Sequence, residues 1–245
     1  MHLHDRAVIV AGGAGALGSA IAARLAESGA QVIVLDARAA DPERLPAGAL
    51  SIVADVADDG SVAAALSTSV DRAGKIWALV NCAGTIHSEP LVSLMPDRRR
   101  HRIETWESTI RSNLTATFVL TSHVAEHMAA NRTKGVIVNI SSISASGNPG
   151  QTAYSAAKAG VEAMTSVWAR ELGPLGIRSV AIAPGFVATP STDAAMSADA
   201  LAELRRRTPL LRLGKPEEIA AAVAFAIDND FLTGTTIAVD GGLVL

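Results

Sequence analysis

The chain has few aromatic side chains (3%), one cysteine, one tyrosine and no long unbroken apolar run. Each shortage excludes something. A lone cysteine, Cys82, cannot form an internal disulfide, and a reducing, cytoplasmic setting is expected. The N-terminus lacks the charged, apolar and small-residue sections of a signal peptide. The longest strongly apolar stretch, residues 219–227, falls well short of the roughly 20 residues needed to cross a bilayer, so no membrane association is expected. A net charge of −3 provides no basic field for nucleic acid, and Arg98, Arg99 and Arg100 read as a solvated loop.

What the chain does contain is 49% hydrophobic residues, mostly Ala, Val, Ile and Leu, in a length suited to one domain over residues 1–245. Apolar runs at 7–11, 31–35, 50–53, 76–80, 136–140, 179–183 and 236–239 read as strands covered on both faces. Helix-like segments such as 18–28 and 60–73 separate them. This alternation predicts an α/β fold, a single-domain Rossmann-like doubly wound sheet of about seven parallel strands flanked by helices. Two polar stretches, 85–107 and 184–212, break the pattern and are expected to wall a substrate site at the carboxyl ends of the strands.

The first strand runs into Gly12-Gly13-Ala14-Gly15-Ala16-Leu17-Gly18 and then an Ala-rich helix. Glycines between strand and helix let a pyrophosphate approach the backbone and sit on the helix N-terminus. The second strand leads to Asp36, whose carboxylate suits an adenosine ribose and repels a 2′-phosphate. NAD is therefore expected over NADP, although nearby Arg38 could pair with such a phosphate. Asp55 and Val56, after the third strand, are placed to flank the adenine.

The single tyrosine, Tyr154, is followed four residues later by Lys158. On a helix the two share a face, and a fixed cation favours the phenolate. His123-Val-Ala-Glu126-His127 matches a zinc-binding pattern, but no third ligand is evident, and no metal is expected.

With these pieces in place the chain resembles the short-chain dehydrogenase/reductases of about 250 residues. The resemblance rests on the glycine turn, on Asn81-Cys82-Ala83-Gly84, Asn113, Asn139-Ile140-Ser141-Ser142 and Tyr154-Ser155-Ala156-Ala157-Lys158. It continues through Pro184-Gly185-Phe186-Val187-Ala188-Thr189, Gly214–Ile219 and Val239-Asp240-Gly241-Gly242. Cys82 stands where the family usually has a second Asn, and reads as a small filler rather than a nucleophile.

The resemblance implies interconversion of a secondary alcohol and a ketone by hydride transfer to or from NAD(H). Tyr154 would exchange the proton, Ser142 would hold the substrate oxygen, and Lys158 would hold the nicotinamide ribose and, with the positive ring of the oxidised cofactor, lower the tyrosine pKa. Asn113 would hold a water linking Lys158 to solvent. Gly12, Gly15, Ala16, Leu17, Gly18, Asp36, Asp55, Val56, Asn81, Ala83, Gly84, Tyr154, Lys158, Pro184, Gly185, Val187 and Thr189 would bind the cofactor. The usual spacing to the tyrosine selects Ser141 as the catalytic serine. The strand-end motif selects Ser142, which is preferred because strand register is harder to shift than loop length. A non-catalytic NAD-binding regulator and a 3-oxoacyl-thioester reductase are the alternatives. The partners implied are a small alcohol or ketone and further copies of the chain, as a tetramer or dimer.

Overall fold

The computed structural model describes residues 3–94 and 100–245; Pro96, Arg98 and Arg99 of the first polar stretch lie outside them. Seven strands form one parallel sheet in the order β3-β2-β1-β4-β5-β6-β7. They are β1 (Ala7–Ala11), β2 (Gln31–Asp36), β3 (Leu50–Val53), β4 (Ile76–Asn81), β5 (Val136–Ile140), β6 (Arg178–Pro184) and β7 (Thr236–Val239). The doubly wound expectation is met.

The run of apolar residues is continuous where strands are central, and β1 and β5 are buried along their whole length. The edge strand β3 alternates between partly covered and exposed residues, and β7 is covered only partly. An edge strand has a neighbour on one side alone, which accounts for the weaker pattern.

Helices α1 (Ala16–Glu27) and α8 (Pro216–Asp228) cover one face of the sheet, packing on Val8, Val10, Val32, Val34, Val180 and Ile182. Helices α2 (Asp59–Ala73) and α4 (Ala116–Ala130) cover the other, over Ile9, Ile33, Leu35, Leu79 and Ile137. Helix α5 (Thr152–Leu172) lies on β5 and β6 and carries Tyr154 and Lys158.

Helix α3 (Ile103–Ile110) continues into α4 through a π-turn at Arg111–Thr115, where one extra residue is accommodated in the helical ladder. Such single-turn bulges are frequent at functional sites, and this one contains Asn113.

The stretch 184–212 is more ordered than its composition suggests. Helices α6 (Pro190–Ala195) and α7 (Ala198–Arg207) occupy it, capped by Thr189 and Ser197, whose side chains accept from the backbone N–H groups of Thr192 and Ala200. Leu204, Leu213 and Leu243 form a small core beneath α7, with Phe186, Met196 and Leu201 against it.

The two histidines of the zinc-like pattern have structural partners. His123 Nε2 lies 2.8 Å from Asp59 Oδ1, and His127 Nε2 accepts from Ile76 N at 3.4 Å. Among the described residues no cluster of three or more His, Cys, Asp or Glu could hold a metal ion.

Candidate functional site

The site lies along the carboxyl ends of the strands, on both sides of the break in strand order between β1 and β4. In the first half it is made chiefly of backbone. Gly12 has φ +75°, and a Cβ there would stand 2.6 Å from Ala83 N, so β1 and β4 close on each other only because residue 12 is glycine. Gly15 is the N-cap of α1, where no side chain caps the helix and no acid occupies the first turn. The positive end of the helix is thus left open to an anion.

Asp36 closes this region. Its Oδ2 accepts from Ala14 N at 3.1 Å and its Oδ1 from Arg38 N at 3.2 Å, so the glycine turn and the end of β2 pin the carboxylate from two sides. Asp55 is pinned likewise, with Ala57 N on Oδ1 at 2.9 Å and Arg111 Nη2 on Oδ2 at 2.8 Å. The Ala57 N–H, followed by the Arg111 guanidinium, holds its pKa below the ordinary carboxylate value. Asn81 turns its side chain away from the crevice, donating to Thr121 Oγ1 at 2.9 Å and Asn139 Oδ1 at 2.8 Å in the core.

In the second half, side chains dominate. Tyr154 and Lys158 share a face of α5, both buried, with the ammonium 5.6 Å from the ring centroid. Ser142 lies close enough to the Tyr154 phenol to favour its ionised form. Ser141 faces the opposite way: its Oγ donates to Glu162 Oε1 at 2.7 Å and to Lys158 O at 3.3 Å. Neighbouring residues of an extended segment point to opposite sides, and the structure gives Ser142 to the tyrosine.

In the free protein burial governs the tyrosine pKa. Burial pushes Tyr154 up to about 12, against a lowering contribution from Ser142. Burial likewise pushes Lys158 down to about 8. The lysine Nζ donates to Ile140 O at 2.8 Å rather than to the phenol, and desolvation of both groups outweighs their mutual influence. Burial also pushes the Cys82 thiol up to about 12, which keeps it protonated and unreactive.

Asn113 is fully buried in the π-turn. Its Nδ2 donates to Thr85 O at 2.9 Å and Thr109 O at 3.0 Å, while its Oδ1 is buried with no hydrogen-bond partner. Gly84 sits against that oxygen, and a Cβ at residue 84 would run into it while lying 3.7 Å from Lys158 Nζ. Gly84, Asn113 and Lys158 therefore converge on one small space holding an unsatisfied acceptor beside a cation.

Beyond β6, Gly185 packs on Asp240, and Val187 bridges to Gly214, with Ala188 N donating to Gly214 O at 2.8 Å. Gln151 lies three residues before the tyrosine. Its Oε1 accepts from Ser144 Oγ and Asn148 Nδ2, both at 3.0 Å, and its Nε2 donates to Ser88 Oγ at 3.2 Å. Glu89 N donates to Gly150 O at 2.7 Å, so the expected substrate wall 85–107 is knit to the loop at 144–151. Burial works to raise the Glu89 pKa, but hydrogen bonds from Thr105 and Arg102 outweigh it and hold the carboxyl below its usual range. A glutamine just before the helix that carries Tyr154 is the sequence signal for this hub, and its partners lie in loops.

Comparison with known proteins agrees with this geometry. A family model described as Enoyl-(Acyl carrier protein) reductase matches residues 12–244. The 3-oxoacyl-[acyl-carrier-protein] reductase FabG of Thermotoga maritima is 37% identical over 255 aligned positions, covering all of both chains. The short-chain reductase protein NovJ of Streptomyces niveus is 38% identical, covering 97% of this chain and 94% of its own. The 3-hydroxyacyl-CoA dehydrogenase type-2 of Bos taurus is 36% identical, covering 96% of this chain and 94% of its own.

Proposed function

Since the chain belongs to the short-chain dehydrogenase/reductase family, we propose that it is an NAD(H)-dependent oxidoreductase interconverting a secondary alcohol and a ketone. The observation that carries this reading is that Ser142 lies close enough to the Tyr154 phenol to act on its pKa, with Lys158 on the same helix face as the tyrosine. A bound dinucleotide supplies the hydride acceptor or donor; everything else falls to the protein. The residues present fit such a group: a glycine cradle that a Cβ would fill at Gly12, an uncapped helix N-terminus at Gly15–Gly18, and the fixed carboxylate of Asp36. Ala83, Gly84, Pro184, Gly185, Val187 and Thr189 would line the rest.

In the alcohol-to-ketone direction Tyr154 takes the hydroxyl proton, and in reverse it donates a proton to the ketone oxygen. Ser142 hydrogen-bonds the same oxygen and steadies the negative charge that develops there. A phenol held near pKa 12 in the free protein is a poor base at neutral pH; the oxidised cofactor, when bound, would supply positive charge beside it, and Lys158 on the same helix face would add to it. Asn113 Oδ1, buried and unpartnered, is the acceptor to which the lysine end of a proton relay can be tied.

Asp36 favours NAD, because a carboxylate held by two backbone N–H groups cannot swing clear of a 2′-phosphate. A 3-oxoacyl thioester is the second reading, supported by the thioester substrates in the names of several relatives. Assembly into homo-oligomers is part of the proposal, supported by exposed Phe118, Val167, Phe225 and Phe231 on helix surfaces and beside the edge strand. So is a cytoplasmic location, supported by the single unpaired cysteine.

The test is a panel of secondary alcohols and hydroxyacyl-CoA thioesters with NAD and NADP, reading formation of the reduced cofactor. Turnover that disappears in Tyr154→Phe while cofactor binding survives supports the mechanism. Unchanged turnover in that variant would overturn it, and cofactor binding without any turnover would leave the regulator as the better account.

A further inference from the structure

The Asp55–Arg111 ion pair has no part in the proton chemistry, yet it joins the two halves of the site. Asp55 follows β3 in the first half of the sheet, whereas Arg111 opens the π-turn in the crossover between β4 and β5. Both side chains are half exposed, and an exposed pair contributes little to folding. It nevertheless has close geometry: Nη2 to Oδ2 at 2.8 Å, with the other carboxylate oxygen held by Ala57 N. Asp55 N in turn donates to Ser61 Oγ at 3.0 Å, and Asp58, three residues on, caps α2 by accepting from Ser61 N. The carboxylate is therefore ionised, fixed in orientation, and left with unused lone pairs, since a carboxylate offers about four acceptor positions.

On the dinucleotide reading above, we propose that Arg111 is a positioning residue for the adenine end of the cofactor. It holds the Asp55 carboxylate so that its free lone pairs receive the exocyclic amine of adenine. Hydrogen bonds to ionised acceptors are the strong ones, and their strength depends on the acceptor being aimed. Through its bond to Asp55, Arg111 also ties the segment carrying Asn113 to the loop after β3, and the next residue, Ser112, bonds Thr85 Oγ1 at 3.0 Å and Asn113 Nδ2 at 3.1 Å. Sequence alone does not reveal the pairing, because 56 positions separate the partners.

The experiment measures dissociation constants by fluorescence titration for NADH and for its hypoxanthine analogue, which carries a carbonyl in place of the adenine amine. Wild type, Arg111→Met and Arg111→Lys are compared. The expected result is a preference of the wild type for NADH. Arg111→Met then weakens NADH by about fivefold and leaves the hypoxanthine cofactor within about twofold, and Arg111→Lys restores part of the difference. Equal weakening of both cofactors, or none of either, would overturn the proposal, because a merely structural arginine cannot distinguish an amine from a carbonyl. A wild-type protein that binds neither cofactor would instead refute the dinucleotide reading on which the proposal rests.

Discussion

Strands β3, β2 and β1 present backbone to the site: a glycine turn, an uncapped helix end, and two carboxylates fixed by main-chain N–H groups. Strands β4 to β7 present side chains instead, the buried Asn113, Tyr154 and Lys158 and the partly exposed Ser142, with titrating groups driven far from their ordinary pKa values. The first arrangement suits recognition, since backbone donors cannot change protonation or rotamer. The second suits proton transfer, where an unusual pKa is the working property. Binding and chemistry should accordingly be separable by mutation.

The sharpest separation is expected from Tyr154→Phe, which removes the proton carrier and leaves the first half untouched. Turnover should fall by about 10³-fold or more, while the dissociation constant for NADH stays within about twofold of wild type. A comparable loss of cofactor binding would break the distinction. Gly12→Ala attacks from the other side. A residue with a side chain in the left-handed region costs about 1–2 kcal/mol, and here the added methyl also meets Ala83 N. The thermal midpoint and cofactor affinity should both drop; unchanged affinity would mean that the glycine turn does not serve a ligand. Asp36→Ala should raise the ratio of NADPH to NADH efficiency by about tenfold, roughly the worth of one partly screened charge. No change would point to Arg38 as the deciding group.

The smallest effect is spectroscopic and requires no mutation, because the chain has one tyrosine. The folded protein should show no phenolate absorbance until well above pH 10 and titrate near 12, whereas the unfolded chain titrates near its ordinary value of 10.0. The sign follows: the folded state holds the extra proton, so Tyr154 contributes stability present below pH 10 and lost as pH rises toward 12. Lys158 acts oppositely. Its folded pKa of about 8 lies below the ordinary 10.5, so the cost of burying its charge is present below pH 8 and relieved as pH rises between those values. A phenol titrating near 10 in the folded protein would mean that burial does not govern the second half.

The fold was largely legible because the central strands are continuous apolar runs, and Gly12–Gly18, Asp36 and Tyr154–Lys158 stand at fixed places relative to them. Helices α6 and α7 were harder to read. Their residues are polar and short in period, and their real signals are the N-caps Thr189 and Ser197 and the arginines that end α7. The direction of the tyrosine shift was not legible. The sequence provides the lysine spacing but not the desolvation that outweighs it. Gln151, Arg111 and the engagement of Asn81 escaped for a common reason: each depends on partners far away in the chain.

The π-turn at Arg111–Thr115 makes phase, rather than length, the quantity that matters in the rod formed by α3 and α4. A regular α-helix advances about 100° per residue, so one spliced-in residue turns everything before it relative to everything after. Helix α4 can then keep Leu120, Val124 and Met128 in the core while Asn113 looks toward Lys158. Deleting Leu114 or Thr115 would leave charge and helix content almost unaltered, yet it would rotate the Asn113 amide relative to α4. Two chains matched at every other position but differing by that residue would fold alike and work differently.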